Sequence, residues 1–350
     1  MTREITARDL KIGGSAPVSV QSMTNTDPHD LEATLSQVRA LEAAGAELVR
    51  LTVPDAQAAR VLGGVRERVG IPLCADIHFD YRAALEAVAA GADKLRINPG
   101  NIGAPERVRA VANACSAAGI AIRIGVNGGS LERRLLAEFG GPTPEALVKS
   151  ATEQAKMLEG YGFGDICISV KASDVRRTVR ANMLLSEQTD YPLHIGVTEA
   201  GRGQTALVRS AAGIGGLLAM GVGNTIRVSM TGDPVAEVGA GIAILKACGL
   251  RGGINLVSCP TCGRTRVDLD GLTAEVERRI AELDTDKSLT VAVMGCAVNG
   301  PGEAREADVG LAGGDGELLL FIKGEIIRKI PQADAADELL KEIKKLLGDK

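Results

Sequence analysis

The chain has 350 residues, enough for a large core, and its net charge of −4 with 2% aromatic residues argues against a nucleic-acid-binding protein. Hydrophobic residues make up 45% and charged residues 24%, the balance of an ordinary globular protein. The first ten residues contain no apolar stretch and no run is apolar enough to span a membrane, so we expect a soluble cytoplasmic protein.

Short β-rich runs alternate with amphipathic, Ala- and Leu-rich segments along residues 1–250. Strands that alternate with helices indicate a parallel sheet, and eight such units favour a closed (β/α)₈ TIM-type barrel over an open doubly wound sheet. The uncharged run from Ser210 to Ile226 is interpreted as a buried helix that leads into the last strand. The eight predicted strands are Val18–Met23, Glu47–Val53, Pro72–Ile77, Lys94–Asn98, Ala121–Asn127, Ile166–Lys171, Leu193–Thr198 and Thr225–Met230.

The pattern changes after Gly252 and Gly253, so residues 251–350 are predicted to form a separate small α+β domain. The chain is therefore predicted to be an α/β protein in which the barrel is followed by this smaller domain. The predicted elements are the strands Ile254–Val257, Thr290–Met294 and Asp308–Leu311, the hairpin Glu317–Ile322 with Glu325–Ile330, and the helices Leu272–Leu283 and Ala333–Leu347.

Three cysteines in this second domain follow predicted strands. Cys259 and Cys262 form a C-x-x-C motif after one strand, and Cys296 follows another. Three thiolates suit zinc or an iron–sulfur cluster, whereas buried core cysteines and a thioredoxin-like redox pair are the simpler alternatives. The domain offers neither a fourth cysteine nor a histidine, which disfavours a closed zinc site. A [4Fe–4S] cluster tolerates another fourth ligand, and Glu303 could provide it.

Basic residues recur on separate strands of the predicted barrel. A buried charge without a partner is unfavourable, so five cations on different strands indicate a cage for a phosphate or diphosphate at the carboxyl ends of the strands, where barrel enzymes carry their active sites. These cations are Arg50, Arg96, Arg123, Lys171 and Arg227.

Other polar side chains accompany the cations near the strand ends. Glu199 ends the seventh strand, where a carboxylate among cations suits general acid–base work, although a salt bridge to an arginine is the simpler interpretation. His78 and His194 are further candidates for proton transfer, or hydrogen-bonded barrel residues. Asp76, Asn98, Asn127 and Ser229 complete the polar set.

Several longer motifs resemble the 4-hydroxy-3-methylbut-2-enyl diphosphate synthases, iron–sulfur enzymes of the methylerythritol phosphate isoprenoid pathway. The resemblance covers nearly the whole chain. Within that family, the chain is similar to the shorter, two-domain bacterial form. The motifs are Gln21-Ser-Met-Thr-Asn-Thr26, Lys94-Leu-Arg-Ile-Asn-Pro-Gly-Asn-Ile-Gly103, Arg123-Ile-Gly-Val-Asn-Gly-Gly-Ser-Leu131, His194-Ile-Gly-Val-Thr-Glu-Ala-Gly201, Arg227-Val-Ser-Met-Thr-Gly-Asp-Pro234, Ser258-Cys-Pro-Thr-Cys262 and Met294-Gly-Cys-Ala-Val-Asn-Gly-Pro-Gly-Glu303.

The resemblance implies reductive ring opening and dehydroxylation of 2-C-methyl-D-erythritol 2,4-cyclodiphosphate by an oxidoreductase. Two electrons would come from flavodoxin or ferredoxin through one [4Fe–4S] cluster per subunit, bound by Cys259, Cys262, Cys296 and a displaceable Glu303. Glu199 would protonate the departing hydroxyl. The expected substrate-binding residues are Arg50, Arg96, Arg123, Asn127, Lys171, His194, Arg227 and Ser229.

The same resemblance implies a homodimer in which the cluster domain of one subunit caps the barrel of the other. Two rival interpretations remain: a pterin-type barrel methyltransferase with an appended structural metal domain, and a zinc-ribbon-like nucleic-acid-binding module on a barrel. The first predicts a colourless protein that needs no reductant, and the second predicts stoichiometric zinc and salt-dependent binding.

Overall fold

The computed structural model describes residues 1–283, 285–296, 306–314 and 316–348. Two compact units divide the chain, Met1–Cys248 and Gly249–Lys350. No helix in these described ranges combines the length and the apolar character needed to cross a membrane.

The first unit begins with an antiparallel hairpin of β1 (Glu4–Ala7) and β2 (Leu10–Gly13), which the sequence analysis did not predict. Ile5, Ala7 and Ile12 are buried against Leu48, Cys74, Ala121 and Cys167, at the amino ends of four later strands. The hairpin therefore closes the end of the barrel opposite the carboxyl ends of its strands.

Eight parallel strands follow and form one sheet. The strands are β3 (Ser19–Met23), β4 (Leu48–Thr52), β5 (Leu73–Asp76), β6 (Lys94–Ile97), β7 (Ala121–Asn127), β8 (Ile166–Lys171), β9 (His194–Ile195) and β10 (Thr225–Ile226). Their order across the sheet is β8-β7-β6-β5-β4-β3-β10-β9. A parallel bridge between Ile168 and Leu193 joins the two edges, so the barrel is nearly closed and the predicted fold class is confirmed.

Helices surround the strands because alternate strand residues point outward and are apolar. On β4, for example, Val49 and Leu51 face outward into the core between sheet and helices, whereas Arg50 faces inward. The helices are α1 (Leu31–Ala43), α2 (Ala56–Arg66), α3 (Tyr81–Ala89), α4 (Pro99–Ile102), α5 (Pro105–Ala118), α6 (Arg133–Phe139), α7 (Pro144–Gly160), α8 (Val175–Gln188), α9 (Gly203–Ser210), α10 (Gly216–Ala219) and α11 (Pro234–Ala247), with a π turn at Ala211–Gly215 between α9 and α10.

Aspartate residues cap the amino ends of several of these helices. Each cap thereby sets where the preceding loop, which leaves the carboxyl end of a strand, ends and the helix begins. Each carboxylate accepts a hydrogen bond from a backbone N–H of the first turn, which stabilises the helix start by about 1 kcal/mol. The N-cap residues are Asp30, Asp55, Asp80, Asp174 and Asp233.

The second unit is a five-stranded mixed sheet with helices on one face. Leu272 and Val276 of the first helix and Leu339 and Ile343 of the last pack on Val291 and other sheet residues. The elements are β11 (Ile254–Ser258), α12 (Leu269–Ile280), β12 (Leu289–Met294), β13 (Val309–Gly313), β14 (Glu317–Ile322), β15 (Glu325–Pro331) and α13 (Ala335–Leu347). Strands β11, β12 and β13 run parallel in that order, whereas β14 and β15 are antiparallel, as the predicted α+β arrangement requires.

Candidate active site

A cavity of about 250 Å³ lies at the carboxyl ends of the barrel strands. Its wall is strongly polar, and five basic side chains from five different strand positions contribute to it. The lining residues are Arg50, Asp76, His78, Phe79, Arg96, Asn101, Arg123, Gly125, Asn127, Ser130, Ser169, Lys171, Thr198, Arg227 and Ser229.

The alternation of the strands explains why these residues meet. Arg123, Gly125 and Asn127 occupy every second position of β7, and Ser169 and Lys171 do so on β8, so each set points to the barrel interior. In an ordinary barrel such positions are filled by branched apolar residues. Here they carry cations and hydroxyls, which makes the upper barrel the candidate binding site.

Two glycines make room for the cationic heads. A β-carbon at Gly125 would collide with the guanidinium of Arg96, and one at Gly196 would lie 2.8 Å from Lys171 Nζ and closer still to the backbone carbonyl of Arg227. Neither glycine has a positive φ angle, so space and not backbone conformation requires them. The absence of side chains at these two positions therefore leaves space for Arg96 and Lys171.

Asp76 is the buried acidic anchor of the pocket. Its Oδ1 accepts a hydrogen bond from Arg96 Nη1 at 3.1 Å, and its Oδ2 lies 3.6 Å from Arg50 Nε and 3.7 Å from His78 Nε2. Burial alone would raise the pKa of Asp76, but the positive charges of Arg50 and Arg96 outweigh it and lower that pKa to about 2. The carboxylate therefore stays ionised and orients two of the cations.

Positive charge nevertheless predominates in the pocket. Burial, together with the charge of Arg50, lowers the pKa of Arg123 to about 9, so its guanidinium remains charged at neutral pH. Burial and the charges of Arg123 and Arg227 lower the pKa of Lys171 far below its ordinary value. A bound anion would relieve both effects, because it supplies the opposite charge that the protein lacks at this place.

Arg227 has its own partner outside the barrel interior. Its Nη2 donates to Glu237 Oε2 at 3.4 Å, and the other carboxylate oxygen accepts the backbone N–H of Met230 at 2.8 Å. Burial and the charge of Arg50 lower the pKa of Arg227 to about 10, opposed by Glu237. Helix α11 thereby fixes the loop that carries Ser229.

Two predicted site residues do not line this cavity. His194 is completely buried on β9, two positions before Gly196, and burial and Lys171 lower its pKa well below the ordinary value, so the ring is neutral. Glu199 is exposed, and its neighbour Thr198 lines the cavity. The backbone of Glu199 has a φ angle of +54°, a strained conformation for a side chain of this kind and one often found at functional sites.

Some lining residues were not assigned to the site from the sequence. Asp76 and Thr198 were noted only as polar residues at the end of a strand, His78 only as a candidate for proton transfer, and Ser130 and Ser169 were not singled out. The alternation of side-chain direction along β8 could have identified Ser169, because it lies two residues before Lys171 and so faces the same side. Ser130 could not be found in this way, because it belongs to a 3₁₀ turn after β7.

The three candidate cluster cysteines belong to the second unit. Cys259 follows β11 directly and Cys296 lies two residues after β12, and these two strands are parallel neighbours, with Ser258 opposite Val293. The loop between Cys259 and Arg266 is held to β12, because Arg266 N–H donates to the Gly295 carbonyl at 3.1 Å. Two of the three thiols thus come from adjacent strand ends, and Cys262 lies on the connecting loop.

The chemistry around these thiols fits a soft metal group. Gly295 N–H donates to Cys259 Sγ at 3.2 Å, the kind of hydrogen bond that stabilises a metal-bound thiolate. A backbone N–H of Arg264 is the largest cause of the lowered pKa of the exposed Cys262. Nevertheless, among the residues described, no three histidine, cysteine or acidic side chains converge closely enough to hold a metal ion. Glu303, the expected fourth ligand, lies outside the described residues.

Both units of the chain match known protein families. The family models "GcpE TIM-barrel domain" and "GcpE protein C-terminal domain" match residues 2–242 and 255–345. A protein of Geobacter sulfurreducens is 56% identical over 350 residues, which cover 100% of this chain and 99% of the relative. A protein of Caldanaerobacter subterraneus subsp. tengcongensis is 53% identical and covers 100% and 98%. Both are named 4-hydroxy-3-methylbut-2-en-1-yl diphosphate synthase (flavodoxin).

Solved structures of more distant proteins share the barrel. Dihydropteroate synthase of Yersinia pestis is 16% identical with a TM-score of 0.51 and covers 71% of this chain and 100% of its own. N-acetylneuraminic acid synthetase of Leptospira borgpetersenii is 14% identical with a TM-score of 0.51 and covers 81% and 98%. At this identity the likeness concerns the fold alone. The two family matches and the full-length relatives are decisive: the chain belongs to the GcpE family.

Proposed function

We propose that this protein converts 2-C-methyl-D-erythritol 2,4-cyclodiphosphate into 4-hydroxy-3-methylbut-2-enyl diphosphate. The conversion opens the ring at a carbon–oxygen bond, consumes two electrons and two protons, and releases one molecule of water. The relatives that match over their full length carry the name of this activity.

The observation that carries the proposal is the cationic cavity at the mouth of the barrel. A diphosphate presents oxygens that guanidinium groups bind through paired, charge-assisted hydrogen bonds. The basic residues that line the cavity come from separate strands, so they surround a ligand on several sides. We assign diphosphate binding to Arg50, Arg96, Arg123, Lys171, Arg227 and Ser229, together with Asn127, which also lines the cavity. His194, buried outside the cavity lining, is assigned a supporting role through its neutral ring.

Lys171 favours an anionic ligand. Burial and the neighbouring guanidinium groups of Arg123 and Arg227 lower the pKa of its ammonium group, and a phosphate beside it would oppose that effect. The residue therefore supports binding of a diphosphate over neutral polyols.

Glu199 is our candidate for the proton donor to the departing hydroxyl. It follows Thr198, which lines the cavity, and its exposed carboxyl group is within reach of solvent protons. The strained backbone supports a positioned role, because strain of this kind persists where function requires one orientation. Closure of the site over the substrate would exclude water from the reaction.

We propose that Cys259, Cys262, Cys296 and Glu303 hold one [4Fe–4S] cluster per subunit. When bound, such a cluster supplies the two electrons one at a time. The thiolates at two neighbouring strand ends would hold it, and the Gly295 N–H would stabilise that of Cys259. With a carboxylate as fourth ligand, the cluster would keep one exchangeable position.

The electron donor and the assembly are also part of the proposal. Flavodoxin is named with the relatives' activity, so we infer a flavodoxin donor, with ferredoxin as the alternative. We further propose a homodimer in which the cluster domain of one subunit caps the barrel of the other, in the cytoplasm where thiols stay reduced. Light scattering of the purified chain measures the mass, and a monomer at working concentration would contradict the dimer.

Neither rival function gains support. The likeness to dihydropteroate synthase, at 16% identity, concerns the fold alone and supports no methyltransferase activity. The nucleic-acid-binding interpretation is opposed by the acidic net charge and the scarcity of aromatic residues.

Turnover tests the function directly. The full chain, purified and reconstituted without oxygen, is incubated with the cyclic diphosphate and reduced flavodoxin, and the phosphorus species are followed by ³¹P NMR. We expect the resonances of the cyclic diphosphate to be replaced by those of an open diphosphate monoester, and no change without reductant. Persistence of the cyclic diphosphate in a preparation that contains its iron would refute the proposal.

Metal analysis tests the cofactor separately. About four irons per chain and a broad visible absorbance are expected after anaerobic purification. Zinc in place of iron, with no iron taken up on reconstitution, would reject the cluster.

A further inference from the structure

A second polar layer lies in the barrel below the cavity. Residues two positions apart on a strand face the same side of the sheet, so the residue two positions before an inward-facing one also points into the barrel, nearer the amino end of the strand. On four strands this lower residue is polar and completely buried. Gln21 precedes Met23, Lys94 precedes Arg96, His194 precedes Gly196 and Thr225 precedes Arg227. Each of these four side chains is at most 1% exposed, and none of them lines the cavity.

The polar atoms of this layer lack partners within the described protein. Lys94 Nζ, both amide atoms of Gln21 and both ring nitrogens of His194 accept and donate no hydrogen bond to another described residue. The same is true of Nε and Nη2 of Arg123, a buried residue of the cavity, and of the Thr225 hydroxyl. Buried polar groups are almost always hydrogen-bonded, and an unpaired ammonium is the costliest case.

Charge decides what kind of partner is missing. Among the described residues of the barrel interior, six cations face the single carboxylate of Asp76, and Glu237 partners Arg227 from outside. Asp76 is already engaged by Arg50 and Arg96. A cyclic diphosphate in the cavity carries one negative charge per phosphorus, so the interior stays positive even with that ligand bound. Water satisfies donors but does not neutralise charge.

The surroundings also restrict the size of the partner. Only Arg123 belongs to both the cavity and the lower layer, so the lower layer is separated from the open space above it. A halide replaces a single water molecule, whereas phosphate needs several times that volume. A neutral His194 donates one N–H to such an ion, and the amide of Gln21 and the hydroxyl of Thr225 donate others.

We propose that the barrel interior holds a chloride ion between Lys94 and Arg123, below the diphosphate pocket and distinct from it. The ion neutralises Lys94 and accepts hydrogen bonds from the unpaired Nε and Nη2 of Arg123, which also lines the cavity. The site takes a monovalent, halide-sized anion and requires no particular substrate above it.

Bromide diffraction tests the site on the protein as it exists. Crystals of the cluster-containing full chain are grown in sodium bromide, with and without the cyclic diphosphate, and anomalous maps are computed at the bromine absorption edge. We expect one peak within hydrogen-bonding distance of Lys94 Nζ and Arg123 in both crystals. No peak, or a peak that disappears when the cyclic diphosphate binds, would overturn the proposal. Turnover is not measured, so this outcome is independent of the proposed function.

A variant tests the same site in solution. The thermal unfolding midpoint is measured while chloride replaces gluconate at constant ionic strength. We expect the midpoint of the wild-type protein and of a surface control, Lys149→Met, to rise with chloride, and that of Lys94→Met to stay constant. A wild-type midpoint that does not respond, or a Lys94→Met midpoint that still rises, would contradict the assignment. If Lys94→Met fails to fold, the bromide map on the wild-type chain decides alone.

Discussion

Replacement of Asp76 by asparagine tests how the cationic pocket is held together. The substitution keeps the size of the side chain and removes its charge. Asp76 is 2% exposed and its two oxygens serve Arg96 at 3.1 Å and Arg50 at 3.6 Å. After the substitution these two guanidinium groups stay buried without an opposite charge, which is the costly way to break a buried ion pair.

The expected magnitude follows from the pKa of Asp76. A shift from 3.8 to about 2 corresponds to roughly 2 kcal/mol of stability at neutral pH. Since the two arginines also lose their counter-charge, the total loss for Asp76→Asn is expected between about 2 and 5 kcal/mol. The folded pKa is depressed, so this stability is fully present above about pH 4 and is lost as the pH falls through about 2. The difference between wild type and variant should therefore be constant near neutrality and shrink below pH 4.

Urea unfolding followed by far-ultraviolet circular dichroism measures the difference in the free energy of unfolding. Asp190→Asn is the matched control, because Asp190 pairs with Arg3 in an exposed ion pair that contributes at most about 1 kcal/mol. If Asp76→Asn is as stable as wild type, or loses no more than Asp190→Asn, the proposed anchoring role of Asp76 is wrong.

Three further substitutions test the pocket, the acid and the cluster. Gly125→Ala places a methyl group against the guanidinium of Arg96, so we expect the KM for the cyclic diphosphate to rise about tenfold, equivalent to 1.4 kcal/mol, and an unchanged KM would contradict the packing. Glu199→Gln should retain substrate affinity and iron but lose about a hundredfold in kcat, and full turnover would exclude Glu199 as the acid. Cys296→Ser should lose its iron while Cys248→Ser keeps it, and equal iron content in the two would remove Cys296 from the ligands.

Much of the fold was readable from apolar periodicity. All eight predicted barrel strands contain an observed strand, and β7 and β8 agree with prediction residue for residue. The seventh and eighth strands are shorter than predicted, because only two residues of each form regular pairs. Those of β10 pair with β3 and β9, whereas those of β9 pair with β10 alone. The amino-terminal hairpin was missed, since strands of four residues give too few positions for an alternation to stand out.

The site was predictable only in part, for a geometric reason. Cations that recur on separate strands signal a common cavity, and the structure brings them together. The height of a side chain in the barrel depends on how far neighbouring strands are shifted along one another. The sequence does not show this shift, so it did not reveal that His194 is buried below the cavity. Nor did it reveal that Gly125 is needed for Arg96, because that contact joins residues of two different strands.

Binding of the cyclic diphosphate tests the central claim most directly. Isothermal titration of this ligand into the full chain compares wild type with Arg123→Met and with the exposed-helix control Arg109→Met. We predict that wild type and the control bind alike, that affinity falls with added salt, and that Arg123→Met binds at least tenfold more weakly, since a charge-assisted hydrogen bond contributes about 1.5–3 kcal/mol. If Arg123→Met binds the cyclic diphosphate as tightly as wild type, the cationic cavity is not where this ligand is held.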